Sequence, residues 1–210
     1  MEILENFAVF EGCDGSGTTT QLDILENFFK QKTSTLPPLY KTFEPTDGFI
    51  GKLIRSALRM ETPMKAETIA LLFAADRNEH LYGAAGIAER CARGELVISD
   101  RYVPSSLVYQ GLSCGDELPG SLNIGFPGPE LLIYLDIDIE TAQKRMESRK
   151  IKEIYENLAF QVQVRERYSK ILPLFAQQGV RVEIIDASPP PHEVSGEIWR
   201  VLQKMPIFKR

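Results

Sequence analysis

Short apolar or β-branched runs recur along the chain at residues 7–10, 39–43, 96–99, 131–135 and 180–185. Stretches with helical spacing separate them, at about residues 18–30, 48–59, 65–93, 104–111, 139–149, 157–178 and 191–204. Strand alternating with helix predicts an α/β fold of three layers, a five-stranded parallel sheet with helices on its faces. Sheets of that kind bind ligands beyond the carboxyl ends of their strands, and Asp14, Glu44, Asp100 and Asp136 all fall at such ends. Two stretches interrupt the alternation. Residues 113–129, rich in Gly and Pro, read as a surface loop. Residues 149–155 are a short basic connection between two helices, with the character of a lid.

The first apolar run continues into Gly12-Cys-Asp-Gly-Ser-Gly-Thr-Thr-Thr20, and Leu22, Leu25, Phe28 and Phe29 follow with amphipathic helical spacing. Strand, glycine-rich turn and helix in that order define a phosphate-binding loop, a P-loop, with the helix N-terminus aimed at the anion. Gly12 and Gly17 have the required separation, and Thr19 supplies the hydroxyl that faces a metal in such loops. The lysine that normally reaches the terminal phosphates is absent, and Thr18 stands in its place. Cys13 reads as a small filler within the turn.

At 210 residues and 43 % hydrophobic content, the chain suits one compact domain spanning residues 1–210 with a small lid at about 149–156. Its 24 basic and 29 acidic residues leave a net charge of −5, which argues against bulk nucleic acid or an anionic membrane as the main partner. Acids near the start and the lack of an apolar run of roughly 18 residues argue against a secretory signal or a membrane span, so a cytoplasmic location is expected. Three cysteines without zinc-ligand spacing read as reduced thiols. His80 and His192 are isolated in the sequence, which gives no support to a metal beyond magnesium, and no histidine lies near Ser105 or Ser106 to activate a nucleophile.

Ser99-Asp-Arg-Tyr102 closes the third run, where an acid can hold a magnesium-bound water and an arginine can clamp a phosphate. The strings around it are more specific: Leu71-Leu-Phe-Ala-Ala-Asp-Arg77 before it and Val103-Pro-Ser-Ser-Leu-Val-Tyr-Gln-Gly111 after it. With Phe10-Glu-Gly-Cys-Asp-Gly-Ser-Gly17, Glu44-Pro45, Ile50-Gly-Lys-Leu-Ile-Arg55, Leu132-Ile-Tyr-Leu-Asp136 and Leu158-Ala-Phe160, they make nearly the whole chain resemble the thymidylate kinases, which transfer the γ-phosphate of ATP to dTMP.

The resemblance implies ATP and Mg2+ bound at the loop, with Thr19, Asp14 and Asp100 around the metal. It implies a base pocket in which Phe73 stacks on thymine while Arg77 and Gln110 address the base edge. Arg55 and Arg101 match positions that hold the acceptor phosphate. Glu44, Pro45 and Ser106 match the acceptor-site lining, and Tyr109 the back of the deoxyribose. Asp14 matches an acid near the sugar and the transferred phosphate. Homodimers are the family's usual assembly. The chain departs from the pattern at Thr18, at Phe43 where an arginine is usual before Glu-Pro, and at Lys152 where a lid arginine is common. Each change softens positive charge around the phosphates. A binding protein with weak transfer is therefore the alternative to an ordinary kinase. If Arg149, Lys150 or Lys152, brought in by lid closure, replaces the missing charge, Arg149→Ala or Lys152→Ala should slow ADP release by about 10²–10³-fold where that residue is the one, the usual loss of one preorganised charge.

Overall fold

The computed structural model describes residues 1–32, 36–146, 154–155 and 157–209. Five strands, β1 (Ile3–Gly12), β2 (Leu39–Phe43), β3 (Leu96–Asp100), β4 (Gly128–Asp136) and β5 (Arg181–Asp186), form one sheet in the order β2-β3-β1-β4-β5. All four pairings are parallel. The helices are α1 (Thr18–Gln31), α2 (Phe49–Leu58), α3 (Ala66–Tyr82), α4 (Ile87–Ala92), α5 (Val103–Cys114), α6 (Glu117–Asn123), α7 (Ile139–Met146), α8 (Leu158–Gln177) and α9 (Pro191–Leu202), with a closing 3-10 turn at Pro206–Lys209.

A central parallel strand is buried on both faces and so reads as a continuous apolar run. In β1, Phe7 and Val9 point into one core with residues of α2, α3, α4, α5 and α8, among them Ile54, Leu81, Ile87, Val108 and Tyr168. Ala8 and Phe10 point into the other, with Leu22 and Leu25 of α1, Ala142 of α7 and Ile198 of α9. The expected three-layer architecture is therefore present, and β1 delivers the phosphate loop at its carboxyl end between two covered faces.

Local differences from the sequence reading have steric or pairing causes. The stretch 65–93 is two helices, because the chain turns at Gly83, where an added Cβ would lie 2.5 Å from the Glu79 carbonyl oxygen, and Ala85 adopts a φ of 55°. The expected surface loop at 113–129 holds α6 and the start of β4. Pro119 is tolerated there because it sits in the first turn of α6, where no intrahelical N–H is required. β1 starts at Ile3, before the apolar run, because Ile3 and Leu4 pair with Gly128 and Pro129 ahead of a register shift.

Phe7 is fully buried and meets Tyr102 edge-on, with ring centroids 5.1 Å apart. Phe7→Ala should lower the unfolding free energy by about 3–5 kcal/mol, read as a shift in urea midpoint at unchanged slope.

Candidate active site

The loop after β1 is shaped by close approach. A Cβ on Gly12 would fall 2.3 Å from Ser16 Oγ, and one on Gly15 would fall 2.4 Å from the Ala142 carbonyl oxygen of α7. Ser16 N–H donates to the Cys13 carbonyl at 3.0 Å, closing a tight turn into α1, whose first amides have no intrahelical acceptor and face the cleft. Cys13 is buried against the Tyr134 hydroxyl at 3.7 Å, and burial pushes its thiol up to about 11, so it stays protonated and fills space. Thr18 begins α1 and is buried.

Thr19 Oγ1 donates to Asp100 Oδ2 at 2.7 Å, and Asp100 Oδ1 is buried without a partner among the described residues. A hydroxyl beside a carboxylate oxygen with free valence fits a magnesium ion that takes its other ligands from phosphate and water. Among the described residues no group of three or more His, Cys, Asp or Glu side chains could hold a metal by itself. Asp14 stands elsewhere: its Oδ1 accepts from Arg101 and, at 3.3 Å, from the Tyr109 hydroxyl, and its Oδ2 accepts from Gln161 Nε2 at 2.8 Å. Burial pushes the Tyr109 phenol well above its ordinary value, which keeps it a donor.

Arg101 adopts a φ of 72°, an uncommon conformation for a side chain of its size. Glu11, one residue before the loop, holds that bend from below. Its fully buried carboxylate accepts from Tyr102 N–H at 2.9 Å, Ser105 N–H at 3.3 Å, Ser105 Oγ at 2.6 Å and Tyr168 Oη at 2.7 Å. Burial raises the Glu11 carboxyl to about 7, against the opposing pull of Arg101 and these donors.

On the acceptor side, Arg77 is 1 % exposed. It donates to Glu44 Oε2 from Nε at 2.9 Å and Nη2 at 2.7 Å, to Ser106 Oγ at 3.0 Å, and to Asn123 Oδ1. Tyr102 and Phe126 lie at 5.3 and 5.7 Å from its guanidinium. Four of its five N–H groups thus donate to protein, while the residue also lines the cleft. His80, isolated in the sequence, is in space the second partner of Glu44, at 3.2 Å, and also contacts Thr42 Oγ1 at 2.6 Å. Gln110 is buried, and its Oε1 has no partner among the described residues. Arg55 donates to the Pro45 carbonyl and lies over the Phe43 ring at 5.3 Å, so the aromatic that replaces the usual arginine carries the neighbouring one.

A single cleft of about 890 Å³ joins the phosphate loop to the acceptor side, a volume in the range of small-molecule sites. Of the expected site residues, Cys13 to Thr20, Glu44, Pro45, Arg55, Phe73, Arg77, Asp100, Arg101, Ser106, Tyr109 and Gln110 all line it. Gly12 lies beneath it at the end of β1, and Asp136 is turned away into a two-point ion pair with Arg165. Arg149, Lys150 and Lys152 lie outside the described residues. Glu11, Arg145 and Gln161 were not anticipated. Arg145 lines the cleft beside Ala187, Pro189, Pro191 and Val194 while donating to the Ala187 carbonyl at 3.1 Å.

Fold and site together define a P-loop protein whose cleft joins a phosphate cradle to a second, aromatic and arginine-lined pocket. Comparison with known proteins narrows this. Residues 10–198 match the family model described as thymidylate kinase. A Treponema pallidum (strain Nichols) protein bearing that name is 46 % identical over 172 residues, 81 % of either chain. A Pyrobaculum aerophilum protein of the same name is 38 % identical over 97 % of this chain and 99 % of its own. The thymidylate kinase of Candida albicans superposes with a TM-score of 0.80 at 24 % identity, covering 97 % of this chain and 93 % of the other, a likeness of fold. The chain belongs to the thymidylate kinase family.

Because the Glu11 carboxyl lies above its ordinary 4.5 in the fold, its contribution to stability is complete below that value and is lost as pH rises through about 7. Glu11→Gln should remove this dependence. Between pH 4.5 and 8 the parent should lose about 3 kcal/mol more unfolding free energy than the variant, measured by urea titration at each pH.

Proposed function

We propose that this protein transfers the γ-phosphoryl group of ATP to dTMP, giving dTDP and ADP. The observation that carries the reading is the continuity of the cleft from the loop amides to Phe73, Arg77 and Gln110, with the Asp14–Arg101 ion pair at the junction. Phosphoryl transfer asks a protein mainly for positioning and for electrostatic stabilisation of the moving group. The loop amides and the N-terminus of α1 cradle the donor phosphates. Arg145, whose described partners are backbone carbonyls, adds a cation at the donor end. Thr19 and Asp100 hold magnesium, which when bound neutralises charge on the phosphate oxygens. Arg101, aimed by Asp14 and bonded to Ser105 Oγ at 3.2 Å, meets the acceptor phosphate together with Arg55.

Phe73, half-buried against the core below, offers a ring face to the base. Gln110 Oε1 is an acceptor for an imide N–H, and the remaining Arg77 N–H a donor to a base carbonyl. Tyr109 blocks the sugar side. We further infer a reducing, cytoplasmic setting, supported by three unpaired cysteines, and a homodimer, supported by the exposure of Leu71 and Tyr82 on α3.

The test is ADP release with ATP, magnesium and dTMP, run beside Thr18→Lys and with uridine and cytidine monophosphates as competing acceptors. The expected result is turnover within the ordinary ~1–100 s⁻¹ of kinases, strongest with dTMP, and a change of less than about tenfold on restoring lysine. An inert parent with a Thr18→Lys variant gaining about 10²–10³-fold would instead identify a binding protein.

A further inference from the structure

Gln161 stands outside every motif of the chain, on the first turn of α8, and is 2 % exposed. Its amide spans 147 positions to reach the phosphate loop at two points. Nε2 donates to Asp14 Oδ2 at 2.8 Å, and Oε1 accepts from Asp14 N–H at 3.1 Å. Nε2 also donates to the Tyr155 carbonyl at 2.9 Å. Holding a glutamine in one rotamer costs side-chain entropy, and three bonds in a buried setting offset that cost. The turn that carries it is itself fixed. Asn157 caps α8 by accepting from Phe160 N–H at 2.8 Å, and Phe160 stacks on Tyr155 at 5.0 Å while both rings tilt against Tyr109.

We infer that Gln161 is a positioning residue for phosphoryl transfer, acting through Asp14 to hold the Arg101 guanidinium on the line between donor and acceptor phosphates. The inference rests on the kinase reading above. Gln161 suits the task chemically. Asp14 and Arg101 already balance each other in charge, so the third partner must supply a donor without a charge, and a carboxamide does so. Its carbonyl also takes the Asp14 N–H, which fixes backbone and side chain together. Thr18 brings no charge to the loop, so more of the electrostatic stabilisation falls on the aim of Arg101.

The test uses the full-length protein and two substitutions. Gln161→Leu keeps the volume and deletes the clamp. It should lower kcat by about 10–100-fold while the KM for ATP stays within about twofold, the pattern of a misaimed group rather than a lost ligand. Gln161→Glu places a second carboxyl against Asp14, and two such groups in contact cannot both ionise. Its protonated form restores the donor. The groups facing it are Asp14 of the loop, Arg101 just after β3, Tyr109 of α5 and Tyr155, and the new carboxyl shares its proton with Asp14 as a pair. The ratio of Gln161→Glu kcat to parent kcat should therefore rise as pH falls from about 8 to about 6, the ratio cancelling any pH dependence the parent has from Glu11. A merely structural glutamine would leave Gln161→Leu with a lower Tm and an unchanged kcat. A Gln161→Leu kcat within twofold of the parent, or a ratio flat with pH, overturns the inference. If Gln161→Leu fails to fold, the pH ratio decides alone. A parent inert toward dTMP overturns the kinase reading and this inference together, and so is distinguishable from an active parent with an indifferent variant.

Discussion

Glu11 puts a carboxylate at zero exposure in the middle strand of a sheet that is covered on both faces, and much of the architecture above the sheet satisfies it. A lone buried acid costs several kcal/mol or more, so its partners are not optional. Two of them are backbone N–H groups at the start of α5, and two are hydroxyls, from α5 itself and from α8. The consequence is geometric. The chain between β3 and α5 must bend at Arg101 to bring those amides down, and that bend sends the guanidinium up toward Asp14. One acid under the floor thus sets where the cation above it points.

The acceptor side repeats the logic with the opposite charge. Arg77 is a buried cation, and its partners come from β2's end, α5 and α6. Such a pair contributes little net stability, because desolvation consumes most of the Coulomb gain, yet removing one partner leaves a stranded charge. The pair fixes shape more than it adds stability. Glu44, Arg77 and His80 tie the loop that ends β2 to α3, which keeps Phe73, one turn earlier on α3, at a set height beside the cleft.

The sheet, its order of elements and the phosphate loop were legible because they are written in local periodicity and spacing. α6 was not, because Gly and Pro are read as loop formers, whereas Pro119 falls in a first turn where it does no harm. The residues at the cleft that carry motif letters were legible, but their roles were only half so. Arg77 lines the cleft as expected, but it also spends most of its donors on protein, a fact that lives in contacts between residues 29 to 46 positions apart. Glu11 offered a signal, an acid inside an apolar strand. Gln161 offered one too, since it shares the buried stripe of α8 with Val164, Tyr168, Leu172 and Phe175 while Gln163 is exposed. Arg145 offered none, because an arginine on a polar helix face looks like any solvated charge.

The three glycines of the loop differ in what confines them. At positions 12 and 15 a side chain would strike Ser16 or the α7 backbone, whereas at 17 nothing among the described residues lies within 4 Å and a φ of 95° selects glycine. The first residue of α1 carries no such backbone restriction, since it lies in the helix itself. Its backbone conformation is open to any residue, so the usual lysine there answers a chemical demand and not a conformational one. A change at residue 18 therefore alters the charge of the loop without asking its backbone for a new conformation, and Thr18 is the residue this chain has there.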